Sequence, residues 1–249
     1  MSKAIQNTLN CSDAEWQQRI NLAAAFQLCH HFGFSDLIWT HLSARVPGEA
    51  EHFLLNPEGY MFDEVTASNL VKIDIDGRPV SGGRANAAAF TIHSAVYRAT
   101  DKYDCAMHLH ALAGSAVATL EEGLLPLHQW FFEVGRVSYH DYEGFALDHE
   151  ERDRLIRDLG DNQVMILRNH GLFSVGITVA DAFKRIYYLE RACEVQLAAM
   201  STGRKLLTIP QALCDKAMSQ IQTWGESGAL EWPALLRLLD RQSIDAHLR

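Results

Sequence analysis

Apolar positions at Trp16, Ile20, Ala23, Ala24 and Leu28 recur at the spacing of one helix face. The spacing predicts a helix that begins behind Ser12 and Asp13, both capping candidates, and ends near His31-Phe32-Gly33. Short strand-like runs follow over Leu42 to Val46, Phe53 to Asn56 and Leu70 to Ile75. Pro57-Glu58-Gly59 marks a turn between them, and Asp76-Gly77 reads as a hairpin turn. Gly82-Gly83 then breaks the pattern before a helix from about Ala87 to Thr100, a buried strand over Cys105 to His110 and a helix around Ser115 to Leu120. Further on, strands over Val164 to Arg168 and Leu172 to Val175 flank Asn169-His170-Gly171, and Ala180 to Met200 forms a long amphipathic helix. From Pro210 onward only helices are predicted.

Hairpins outnumber evident strand-helix-strand units in this order, so a mixed, largely antiparallel sheet with helices packed on it is expected. No linker-like stretch or internal repeat interrupts the pattern, which argues for a single domain over residues 1–249 with a helical extension from about residue 203. The composition, 48% hydrophobic and 21% charged, is that of a globular chain able to bury a substantial core. With 22 basic against 31 acidic residues, a net charge of −9 and no Lys/Arg block, nucleic acid is excluded as an expected partner. The first ten residues lack the basic and apolar pattern of a signal peptide, and no run is long enough to span a membrane. A soluble, cytoplasmic protein without a membrane partner is therefore expected. Cys11, Cys29, Cys105, Cys193 and Cys214 are odd in number and scattered, the pattern of reduced packing thiols.

Candidate chemistry centres on histidine. His108 and His110 flank Leu109 in a predicted strand, where side chains alternate faces, so both imidazoles project to one side. Taken alone, the pair suits a structural or surface role as well as an ion. His170 lies between a predicted strand end and Gly171, where the backbone can turn and present a side chain into a cleft. Three neutral imidazoles with an open position are the ligand set of a catalytic zinc site.

Met107-His108-Leu109-His110 and Arg168-Asn169-His170-Gly171 resemble the histidine pair and the R-N-H-G turn of the class II aldolase/adducin family. Thr40-His41-Leu42-Ser43-Ala44-Arg45, Leu55-Asn56-Pro57-Glu58-Gly59, Val65-Thr66-Ala67-Ser68, Lys72-Ile73-Asp74 and Gly123-Leu124-Leu125-Pro126 extend the match in family order from about Trp16 to Met200, closest to the adducin-like branch. The resemblance implies a three-layer α/β/α domain and a divalent metal on His108, His110 and His170. That metal is usually zinc, although three imidazoles also suit Fe(II), Mn(II) or Co(II). It also implies a homotetramer with sites near subunit boundaries, and a tail that closes over a neighbouring site. His93 matches a family histidine and is expected to support the site from beneath by hydrogen bonding. His30, His31, His52, His140, His149 and His247 have no metal-like spacing and are expected at the surface or in packing.

The chain departs from the family's sugar-phosphate aldolases at several positions. Where they carry Ser-Ser-Glu, this sequence has Ala87-Ala88-Ala89, and Ala89 at the glutamate position can move no proton. The family's Gly-Asn reads Thr40-His41, and its Ser-Gly turn reads Glu58-Gly59, whose carboxylate would repel a phosphate unless Arg84 offsets it. The tyrosine that aldolases donate across a subunit boundary, after the proline matching Pro126, is absent; His128 is the nearest replacement. His41, Glu58 and His128 are thus the candidate catalytic groups, each with an equally good structural reading. Three functions fit: a metal-dependent lyase acting on a small carbonyl or hydroxy compound other than a typical sugar phosphate, a non-haem iron oxygenase or decarboxylase, and a non-catalytic adducin-like binding domain.

Overall fold

The computed structural model describes residues 7, 9–85, 87–144, 150–221 and 223–248, with backbone alone at 87, 88 and 246. The order begins α1 (Asp13–His31), β1 (His41–Val46), β2 (Glu49–Leu55), β3 (Val71–Asp74), β4 (Pro79–Ser81) and α2 (Ala87–Ala99). It continues with β5 (Cys105–Leu109), α3 (Leu112–Val117), α4 (Trp130–Val134), β6 (Val137–His140), α5 (Glu151–Leu159) and β7 (Val164–Leu167). Then come β8 (Gly171–Gly176), α6 (Val179–Met200), α7 (Gln211–Ile221) and α8 (Glu231–Arg241).

Local chemistry explains many of these boundaries. Ser12 caps α1 by accepting the Glu15 N–H at 3.1 Å, and Gly33 at φ 76° lets the chain leave the helix. Asp74 Oδ1 accepts the N–H groups of Asp76 and Arg78 at 2.9 and 2.8 Å, closing the β3–β4 hairpin around Gly77. Thr178 caps α6 by accepting the Asp181 N–H at 3.1 Å.

Among the described residues eight strands form one sheet in the order β4-β3-β2-β1-β5-β8-β7-β6. Every neighbouring pair is antiparallel except β6–β7, so the sheet is mixed and largely antiparallel, as expected. Alternation along each strand sends side chains to two apolar layers. Leu42, Ala44, Met107, Leu109 and Ile166 pack against α1 and α6, while Phe53, Ala106, Met165, Phe173 and Val175 pack against α2 and α5. These are the three layers. The apolar positions Phe183, Ile186, Leu189 and Ala192 of α6 are core, and Trp232 and Leu239 of α8 dock on the same layer.

The structure corrects three local expectations. α3 starts three residues earlier than the apolar spacing suggests, because the buried Glu190 carboxylate of α6 accepts the N–H groups of Ala113 and Gly114 at 2.9 and 2.7 Å. That cap comes from a distant helix and leaves no local signal. β2 extends back to Glu49 through exposed and half-buried residues, and α5 and β6 form where the chain shows little apolar content. Among the described residues no helix is long and apolar enough to cross a membrane, and all five cysteines are free thiols.

Candidate metal centre

One end of the sheet gathers the chemistry. In the β1–β5 ladder His41 faces His108, and in the β5–β8 ladder Leu109 faces Leu172, which brings the end of β5 beside the turn that precedes β8. Because Ala106 belongs to the α2 layer, alternation puts His108 and His110 on that same face. The turn itself is tightly specified. Asn169 is left-handed at φ 55°, the His170 N–H donates to the Leu167 carbonyl at 3.1 Å, and a Cβ on Gly171 would meet the Leu109 carbonyl oxygen at 2.5 Å.

The three imidazoles meet there. Ring centroids are 4.8 Å apart for His108–His110, 4.6 Å for His108–His170 and 4.9 Å for His110–His170, and one ring nitrogen from each lies within 4.8 Å of the others. His108 Nδ1 donates to the Leu172 carbonyl at 3.0 Å, and His110 Nδ1 donates to Asp36 Oδ2 at 2.8 Å. Both partners only accept, so each ring donates from Nδ1 and turns its Nε2 towards the other. These two Nε2 atoms face each other at 3.0 Å. With both unprotonated, two nitrogens so placed would each offer a lone pair to one cation. The separation is near the roughly 3.3 Å expected across a tetrahedral zinc with bonds of about 2.0–2.1 Å. Burial first, then neighbouring histidines, holds His108 well below the usual histidine range and His170 down to about 4, so both are neutral donors at pH 7. The donor set therefore fits a divalent metal.

Beneath the triad a second set of polar groups runs into the core. His41 Nδ1 and His93 Nε2 are 2.7 Å apart, His93 Nδ1 pairs with Ser43 Oγ, and Ser43 Oγ lies 2.7 Å from the Tyr97 hydroxyl. The His41 ring stands 4.9 Å from that of His108. Burial, followed by His93, His110 and His170, pushes His41 well below the usual range. His93, fully buried, has the supporting position expected of it.

The remaining sequence candidates are placed differently. Ala89 is buried in the apolar layer with Ile92 and Val96, so no carboxylate occupies the aldolase position; the side chains of Ala87 and Ala88 lie outside the described residues. Glu58 is half-exposed and ion-paired with Arg84 at 3.2 Å, which offsets its charge. His128 is exposed, its ring edge against Trp130 at 4.7 Å, with no described contact to the triad. Of the histidines expected in packing or at the surface, His52 pairs with Glu49 at 2.8 Å and His247 is buried, while His149 lies outside the described residues.

Sequence reasoning missed other groups at this end. Asp36 showed no signal, since its partner is 74 residues away. Tyr142 places its ring 6.4 Å from that of His170, and a cavity of about 10 Å³, room for one water, is lined by His140, Tyr142, Glu151 and His170. His140 is not a bland packing residue: its Nδ1 meets Asp158 at 2.8 Å and its Nε2 lies 3.5 Å from Glu151. Burial raises the Glu151 carboxyl above its ordinary range. The density of ionisable groups in His140-Asp141-Tyr142-Glu143 was the one available hint.

Comparison with known proteins adds four findings. The model of the class II aldolase and adducin N-terminal domain matches residues 20–197. A Caulobacter vibrioides protein provisionally named as a class 2 aldolase is 48% identical over 237 residues, covering 93% of this chain and 92% of its own. The crystal structure of an aldolase II superfamily protein from Pseudomonas syringae superposes with a TM-score of 0.90 at 45% identity, covering 95% of this chain and 97% of that one. Alpha-adducin of Rattus norvegicus is 40% identical over 240 residues, which is 89% of this chain and 33% of that protein.

Proposed function

Because the chain belongs to the class II aldolase and adducin N-terminal domain family, we propose that it is a metal-dependent lyase-type enzyme acting on a small carbonyl or hydroxy compound. The observation that carries this reading is the convergence of ring nitrogens from His108, His110 and His170 within 4.8 Å of one another, with the Nε2 atoms of His108 and His110 3.0 Å apart. A catalytic ion with three protein ligands keeps an open position for substrate. Zinc, a small-molecule substrate and a homotetrameric assembly complete the reading.

His108, His110 and His170 would hold the ion, which would supply Lewis-acid chemistry for breaking a carbon–carbon bond beside a substrate carbonyl. The Leu172 carbonyl and Asp36 keep the Nδ1 protons on the far side of their rings, so that the lone pairs stay turned inward. His41, held neutral by burial, packs beside His108 as the candidate proton carrier nearest the triad. Ala89 leaves the aldolase acid/base position apolar, and the Glu58–Arg84 pair replaces a phosphate-binding turn with a neutralised one. Both changes point away from sugar phosphates and towards unphosphorylated hydroxy-ketones or hydroxy-acids.

Metal analysis of the freshly purified protein, followed by a retro-aldol screen over such compounds with and without the bound ion, tests the proposal. About one equivalent of zinc per chain and ion-dependent cleavage are expected. His170→Ala is expected to lose the ion and at least a hundredfold in turnover while remaining folded. Metal-independent or absent turnover across the panel defeats the lyase reading.

A second reading has its own support: 40% identity to alpha-adducin over 89% of this chain, together with the apolar Ala89, suits a non-catalytic binding domain. Bound metal without turnover, and partner binding indifferent to His170→Ala, would favour it.

A further inference from the structure

Asp36 sits in the short segment between α1 and β1, outside every motif that marks the site in the sequence. Its Oδ2 accepts from His110 Nδ1 at 2.8 Å, which ties down the outer side of the more exposed ring of the histidine pair. The backbone around it is tightly held. The Trp39 N–H donates to the Asp36 carbonyl at 3.0 Å, and between them Leu37 adopts φ 46°, a left-handed conformation that costs a leucine energy. Leu37 and Trp39 are themselves largely exposed, so burial of their side chains is not what compensates for the strain. What the turn accomplishes is to aim a carboxylate at His110.

The consequence follows from how imidazole presents a lone pair. His108 and His110 differ in how their Nδ1 protons are secured: His108 leans on a backbone carbonyl inside the sheet, and His110 on a side chain from a strained loop. With Asp36 in place, the His110 ring cannot flip or shift its proton to Nε2 without losing a charge-assisted hydrogen bond. Without it, Nε2 can carry the proton and donate to His108 Nε2 across their 3.0 Å separation, which leaves a paired but metal-free triad.

We propose that Asp36, presented by the strained turn at Leu37, is the positioning residue that fixes the tautomer and orientation of His110 and thereby sets the affinity and geometry of the metal centre. This rests on the metal reading above, and it assigns no contact between Asp36 and the ion or the substrate.

The test uses the full chain, stripped of metal and titrated with zinc against a chromophoric chelator, and separately with cobalt, whose visible spectrum reports ligand geometry. Asp36→Asn and Asp36→Ala are expected to weaken zinc binding about 10- to 100-fold and to shift or broaden the cobalt bands, with unchanged melting of the metal-free protein. Asp36→Glu is expected to recover part of the affinity, which a purely structural role for the loop would not produce. Leu37→Val, whose branched side chain resists a left-handed φ, is expected to reproduce part of the loss. If wild type binds zinc, His170→Ala abolishes binding and Asp36→Asn is indistinguishable from wild type, the assignment of Asp36 is overturned and the metal reading stands. If wild type binds neither ion, both fall. Normal affinity in Leu37→Val overturns the part given to the turn.

Discussion

At the scale of single residues, the site is governed by how burial sets protonation. His93 is held down to about 3, by burial first and then His108, and His170 to about 4, whereas both titrate near 6.5 when unfolded. A depressed histidine pKa means that the unfolded chain binds protons the folded chain refuses. Stability from these rings is therefore fully present above about pH 6.5 and is lost as the pH falls towards 4 and then 3. The slope is at most about 1.4 kcal/mol per pH unit for each ring. Urea unfolding of the metal-free protein is thus expected to show a midpoint that drops steadily between pH 7 and pH 5, with a shallower drop in His93→Gln. A flat midpoint over that interval would contradict the neutral, buried placement. The same neutrality is what a metal ligand requires, so the residue-level electrostatics serve the proposed chemistry while costing stability in acid.

At the scale of elements, the triad depends on the β7–β8 turn more than on any helix. His170 is presented by a left-handed Asn169 and a glycine so close to β5 that an added Cβ would lie 2.5 Å from the Leu109 carbonyl oxygen. Gly171→Ala must push β5 and β8 apart beside His110, Cδ2 of which is also within 3.0 Å of that Cβ position. A stability loss of about 1–3 kcal/mol is expected from such overpacking, together with weaker zinc binding, by denaturation and chelator competition respectively. Loss of stability with intact zinc affinity would show that the turn supports the fold and not the site. Helix α3 plays a quieter part: anchored by Glu190 through Ala113 and Gly114, it fixes the chain immediately after His110.

At the scale of the whole molecule, the three layers bring segments from across the sequence to one sheet end, so metal binding and folding should be thermodynamically linked. An ion that binds only the folded state stabilises it by about 2.7 kcal/mol at a hundredfold excess over its dissociation constant. For a chain of 249 residues this corresponds to a rise in melting temperature of about 5–10 °C. Calorimetry with and without zinc should show it in wild type and not in His170→Ala; equal melting with and without the ion in wild type would rule out a site of the proposed kind.

Much of this architecture can be read along the chain. Helical spacing marked α1 and α6, apolar runs marked β1, β5, β7 and β8, and the H-x-H and N-H-G signatures marked the triad, because each of these depends on neighbours within a few residues. What only the tertiary structure decided depends on partners far apart. Glu190 moved the start of α3 from 76 residues away, and strand pairing set His41 against His108. Asp36 reached His110 across 74 residues, and the cavity beside His170 drew His140 and Glu151 together from separate elements. A ligand set can be encoded as a local pattern, since alternation along a strand already aims two imidazoles the same way. The groups that tune those ligands act through space, and their positions exist only once the sheet has closed around them.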